Sequence, residues 1–135
     1  LEVIEALGLD KLINVDGSIS SKEYARIIRS LYSASYLNRE NSNYLLSLLD
    51  QSKFDDFISK NFQNIPFPHK YGEHIDLRIY ADSGIIYVPN RPVSITILVK
   101  GDPSIPLEKD LGVSTDFLRK ISDEVYSFVS TYNND

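Results

Sequence analysis

The sequence contains no cysteine, which removes disulfides, thiolate metal sites and a cysteine nucleophile together. That lack leaves the compartment open, because oxidising and reducing spaces both hold such chains. A surplus of positive charge is missing too. Fourteen Lys and Arg stand against 19 Asp and Glu, and the net charge of −5 opposes attraction to nucleic acid or to an anionic lipid surface. No nucleic-acid partner is expected. No apolar run approaches the roughly 18–20 residues that span a bilayer, and no basic-then-apolar leader opens the chain, so no membrane span is expected in it. Methionine is absent throughout. The opening Leu1-Glu2-Val3-Ile4-Glu5-Ala6-Leu7-Gly8-Leu9 reads as the end of an apolar helix with Gly8 as C-cap, and both features suggest a chain that continues upstream. What is present suffices for a core: 135 residues, 42% hydrophobic and 11% aromatic, fit one ordinary folded unit.

The chain divides into a helical part over 1–64 and a sheet-plus-helix part over 65–135. After the turn cluster Asn14-Val15-Asp16-Gly17-Ser18, Ser20-Ser21-Lys22-Glu23 has the spacing of a capping box, in which hydroxyl and carboxylate each satisfy the other residue's N–H. Tyr24, Ile27, Ile28, Leu31 and Tyr32 then recur at helical spacing. Asn38-Arg39-Glu40-Asn41 interrupts the run, and Tyr44, Leu45, Leu48 and Leu49 predict the buried stripe of a second helix. A short third helix is expected over Ser52 to Phe62, with Ser52 as N-cap and Phe54, Phe57 and Ile58 turned inward.

At Ile65-Pro66-Phe67-Pro68 the alternate prolines forbid helix and favour extended chain. Three strands are predicted, over His69 to Asp76, Leu77 to Val88 and Val93 to Lys100, with Asn90-Arg91-Pro92 turning the last two. Gly101-Asp102-Pro103 closes the sheet. Ser114-Thr115-Asp116 is expected to cap a final helix whose apolar face is Phe117, Leu118, Ile121, Val125, Phe128 and Val129. The fold class is therefore α+β: helices, an antiparallel three-stranded meander, then a helix packed on the sheet.

Chemistry concentrates in His69-Lys70-Tyr71-Gly72-Glu73-His74-Ile75-Asp76. As a metal site, His74 and Asp76 would share a strand face, but the Lys70 cation lies on that face and opposes it. An edge strand that uses charge to block pairing explains the polar residues and leaves the glycine unexplained. A strand glycine marks close approach by backbone or ligand, and a lysine two residues earlier suits an anionic ligand. His69 beside two prolines reads as a packed, hydrogen-bonded histidine, the nine tyrosines as core and rim, and Asp82 before Ser83-Gly84 as the support of a strand bulge.

These residues give the chain a resemblance to the serine β-lactamase and penicillin-binding transpeptidase superfamily, nearest its class A-like domains. Lys70-Tyr71-Gly72 stands where the family carries Lys-Thr-Gly. The run from Asp82 to Pro89 resembles the next strand, Arg91 to Leu98 the one after, and Ile19 to Arg26 the helix that follows the omega loop. The resemblance implies that Lys70 supplies positive potential for a substrate carboxylate, that Gly72 lets substrate lie against the strand, and that the Glu73 N–H is one donor of an oxyanion hole. It also implies that the nucleophile lies upstream, with the family's first two motifs, since no Ser-x-x-Lys on a helix start occurs here. Two positions depart from the pattern. Tyr71 replaces the family's threonine, and 8–20 holds no Glu-x-x-Leu-Asn, the element that carries the deacylation base. These departures point away from rapid β-lactam hydrolysis and towards a slow acylating, transpeptidase-like or other serine hydrolase activity in the complete protein.

The functional expectation is the C-terminal part of a serine hydrolase or acyltransferase, with no catalytic nucleophile, metal or cofactor of its own. Lys70, Tyr71, Gly72 and Glu73 are the candidate substrate-binding residues. The expected partners are a small-molecule or peptide substrate bearing a carboxylate, and the missing N-terminal segment or a second chain. The alternative is a non-catalytic binding domain on the same scaffold. Strand order in the family adds one more expectation: Val93 to Lys100 leaves its far edge unpaired within this chain, and the final helix leaves part of its stripe uncovered.

Overall fold

Two antiparallel hairpins set the frame. The computed structural model describes residues 18–131 except Lys53, Asp55 and Gln63, together with Glu5, Gly8 and Asp10. The sheet runs β1 (His69–His74), β2 (Ile79–Ile86), β3 (Val93–Lys100) in that order, with His69 opposite Gly84 and Ile86 opposite Val93. Helices α1 (Ser21–Tyr32) and α2 (Arg39–Asp50) precede it, a 3-10 turn covers Ile58–Phe62, and α3 (Leu107–Thr131) closes the described chain. This is the expected α+β order of helices, meander and final helix.

Strand alternation divides the core in two. On one face of β2, Tyr80 and Ile86 join Phe57, Ile58, Phe62, Phe67, Ile95, Ile97 and Leu118, the cluster covered by the 3-10 turn and α3. On the other face, Ile85 meets Ile28, Leu31 and Leu46 from α1 and α2. The Ser20 capping box forms in full: Ser20 Oγ accepts from Glu23 N–H at 3.3 Å, and Glu23 Oε2 accepts from Ser20 N–H at 3.0 Å. Asn38 caps α2 by accepting from Asn41 N–H at 2.8 Å.

Several boundaries differ from the expectation. The strand expected to run to Asp76 ends at His74, because Ile75 to Arg78 turns the chain, with Arg78 left-handed at φ 53° and its N–H on Ile75 C=O at 3.1 Å. The expected third helix contracts to the 3-10 turn, and Ser52 Oγ accepts from Phe54 N–H at 3.4 Å, a tight local turn in place of a helix cap. The final helix begins at Leu107, seven residues before Ser114. Its first turn is drawn in by Asp110, whose buried carboxylate accepts from Tyr80 O–H at 2.8 Å and Asp102 N–H at 2.7 Å, so Ser114 and Thr115 become buried mid-helix residues. Helix α2 is rotated from the expected stripe: Ser42 and Leu46 face inward, whereas Tyr44 and Leu48 are exposed. Asp82 supports no bulge, since β2 pairs residue for residue with both neighbours.

The Leu1 to Leu9 helix end and the Asn14 to Gly17 turn lie outside the described residues, save that Gly8 is left-handed at φ 62° with its N–H on Glu5 C=O at 2.9 Å. Among the described residues the far side of β3 bears no strand, and Phe117 and Phe128 of α3 are more than half exposed.

Candidate functional site

The Lys70 to Glu73 segment is the middle of β1, an edge strand bonded on one side only among the described residues. Which backbone groups face outward follows from the ladder. Ile85 N–H donates to Pro68 C=O at 3.1 Å and Tyr87 N–H to Pro66 C=O at 3.2 Å. Antiparallel bonds recur at every second residue, so Lys70, Gly72 and His74 turn their backbone groups to β2, whereas Tyr71 and Glu73 turn theirs to the open edge. The Glu73 N–H thus points off the sheet.

Side chains alternate the other way. Lys70 and Gly72 stand on the α1 face, opposite Ser83 and Ala81, while Tyr71 and Glu73 stand on the α3 face, opposite Asp82 and Tyr80. The exposed Lys70 ammonium curls to the edge, donating to Tyr71 C=O at 2.5 Å and lying 4.2 Å from the centre of the Tyr71 ring. Nothing lies within 4 Å of the place a Gly72 Cβ would take. That space belongs to a cavity of about 560 Å³ bounded by Ile19, Tyr24, His74, Ile79, Ala81 and Leu98.

Tyr71 does not present its phenol to this space. Its ring stacks on Phe54 at 3.5 Å and 11°, edge-on to Phe57 at 6.3 Å, on the opposite face. A threonine there would leave Phe54 without its stacking partner. His74 and Asp76 do not meet on one strand face, because Asp76 belongs to the turn; among the described residues no group of three His, Asp or Glu is placed to hold a metal ion.

Residues the sequence reading set aside frame the strand. His69 is buried, stacked on Phe67 at 4.9 Å, with Nδ1 2.8 Å from Asp82 Oδ1. Asp82 is wholly buried and its Oδ2 also accepts from Ile58 N–H at 3.3 Å. On the other face, Tyr24 O–H donates to Lys70 C=O at 2.6 Å. Burial first, and the negative field of Asp82 second, push the Tyr24 phenol up to about 12, so it stays a donor across the physiological range. The signal for His69 and Asp82 was their diagonal placement in a hairpin, two residues out of direct register on one face. For Tyr24 no sequence signal existed, since its partner is 46 residues away.

Comparison with known proteins agrees with the fold. The family model described as "Beta-lactamase enzyme family" matches residues 3–129. Among solved structures, PBP-A is similar with a TM-score of 0.69 and 17% identity, over 96% of this chain and 50% of that one. An acyl-enzyme complex of a PBP-A mutant with penicillin G gives 0.70 and 18%, over 86% and 42%. The extended-spectrum β-lactamase TLA-3 gives 0.68 and 18%, over 90% and 46%. The chain therefore spans about half the length of the structures it resembles. No curated protein matches. No helix among the described residues is long and apolar enough to cross a membrane.

Proposed function

Because this chain belongs to the Beta-lactamase enzyme family, we propose that it supplies the C-terminal part of a serine hydrolase or acyltransferase, with Lys70, Tyr71, Gly72 and Glu73 as the strand wall of the active site. On this reading 1–135 is one unit, helical over 1–64 and sheet plus helix over 65–135, completed by an upstream segment that brings the nucleophile. That segment also pairs with the far edge of β3 and covers Phe117 and Phe128.

The observation that carries the proposal is the outward-facing Glu73 N–H beside the Lys70 ammonium and the open space at Gly72. In acyl transfer a serine Oγ gives its proton to a base and bonds to the substrate carbonyl carbon. Negative charge collects on the carbonyl oxygen, and collapse breaks the bond to the leaving nitrogen, which takes a proton. Glu73 N–H is the donor that meets that oxygen, and a fixed backbone donor costs no reorganisation as the charge forms. Lys70 leaves Tyr71 C=O to meet the substrate carboxylate, a charge-assisted contact stronger than the one it gives up. Tyr71 acts through its edge backbone and through the stack on Phe54 that holds the strand. Substrates are small molecules or peptides bearing a carboxylate next to the reacting acyl group. Without Glu-x-x-Leu-Asn in 8–20, hydrolysis of the acyl-enzyme is slow, and transfer to another acceptor is the favoured fate.

Incubating the full-length protein with a fluorescent penicillin, then mapping the adduct by mass spectrometry, tests this. One stoichiometric adduct on a serine outside 1–135 supports the proposal. No adduct with penicillin or with a fluorophosphonate leaves the scaffold as a non-catalytic binding domain.

A further inference from the structure

An edge strand opens more readily than any other part of a sheet, since one row of hydrogen bonds holds it. A site built on β1 needs that strand fixed to within a fraction of an ångström. Two sets of contacts hold adjacent residues of it. On the α3 face, Asp82 takes His69 Nδ1–H on one oxygen and Ile58 N–H on the other, which ties the residue before Lys70 to β2 and to the 3-10 turn. On the α1 face, the Tyr24 hydroxyl holds the Lys70 carbonyl.

Stability alone does not account for the choice of residues. A buried His and Asp pair costs desolvation that a pair of apolar side chains of similar volume avoids, so such a pair is weak evidence of stabilisation. What it offers is direction. Asp82 uses each oxygen on a different element, and the His69 ring is held flat on Phe67, so β1 is fixed in register and in rotation, which apolar packing does less sharply.

We propose that Tyr24, His69 and Asp82 are positioning residues that clamp His69 and Lys70 of β1 from both faces of the sheet, and so fix where Lys70 and the Glu73 N–H stand; the inference rests on the function proposed above for that edge.

Two readouts on the full-length protein test it. Tyr24→Phe removes only the hydroxyl. Amide exchange at Gly72 and Ser83, which bond across β1 and β2, should quicken about five-fold, while Tyr80 and Gly84, bonded to β3, stay as they were. The acylation rate with benzylpenicillin should fall about ten-fold or more in Tyr24→Phe and in His69→Leu. His69→Asn, which keeps an N–H where Nδ1 stands, should restore it to within about two-fold. If His69→Leu does not fold, Tyr24→Phe and His69→Asn carry the same test. Unchanged exchange in Tyr24→Phe overturns the clamp. So does quickened exchange with an unchanged acylation rate, or a His69→Asn protein as slow as a folded His69→Leu. If the wild type takes up neither benzylpenicillin nor a fluorophosphonate, the proposed function fails separately, and the exchange pattern alone decides whether the strand is clamped.

Discussion

Gly72→Ala separates the needs of the fold from those of the site. The new methyl group meets nothing within 4 Å, and Gly72 is not in the left-handed region, so neither overpacking nor backbone strain follows. Alanine also narrows the unfolded ensemble, worth about 0.5–1 kcal/mol in favour of the folded state. For a full-length protein about twice this chain's length that raises the melting temperature by roughly 1–4 °C. The same methyl group stands where a substrate would lie against the strand, and acylation by benzylpenicillin in the full-length protein should slow by about ten-fold or more. Gly84→Ala is the control. Its Cβ would lie 2.7 Å from His69 Cβ, Phe67 Cε2 and Pro68 O, and overpacking of that kind costs about 1–3 kcal/mol. Thermal unfolding of both variants, with acylation rates for each, gives the comparison. A Gly72→Ala protein that melts below the wild type and is acylated at the wild-type rate would refute the reasoning on both counts.

Other substitutions address separate parts of the account. Asp82→Ala strands His69 and Ile58 N–H in the core and should cost about 3 kcal/mol, read by denaturant unfolding. Lys70→Ala should weaken binding of a carboxylate ligand at low salt more than Tyr71→Thr does, while Tyr71→Thr should lower the melting temperature more, through the lost stack on Phe54. Equal affinities for wild type and Lys70→Ala would remove Lys70 from the site. The Glu23 carboxyl is held below its ordinary 4.5 by the Ser20 N–H and hydroxyl, so its stabilisation is present above that value and lost as pH falls through the lower folded one. Glu23→Gln should therefore melt below the wild type at neutral pH, with the gap closing as pH falls through the lowered folded value.

Much of the fold was legible because its signals are local. Val93 to Lys100 alternates apolar and polar residues between turn clusters and forms a strand over just that span, and Ser20 with Glu23 forms the capping box that its spacing announces. What escaped is set by distant partners. Helix α2 shows two possible apolar faces, and only packing against α1 selects Leu46 over Leu48. Ser114, Thr115 and Asp116 look like a helix start, yet the Asp110 carboxylate reaches back to Tyr80 and Asp102 and begins the helix at Leu107. Asn61 explains another buried serine: its Nδ2 donates to Ser122 Oγ at 2.8 Å and to Arg119 C=O at 2.9 Å, a contact across about sixty residues. The candidate strand was readable from Lys70, Gly72 and the family pattern, but not its orientation. That Glu73 N–H faces outward, that Tyr71 turns to Phe54, and that Tyr24 holds Lys70 C=O all depend on the hairpin register and on α1 crossing the sheet.

A crystal structure of the full-length protein acylated by benzylpenicillin tests the central claim most directly. The acyl carbonyl oxygen should lie about 2.7–3.1 Å from the Glu73 nitrogen, with the penicillin carboxylate against the Lys70 ammonium and the ligand backbone passing over Gly72. An acyl group whose carbonyl oxygen finds its donors elsewhere, or a β1 edge paired with another strand of the protein, would contradict the assignment of Lys70 to Glu73 as the wall of the site.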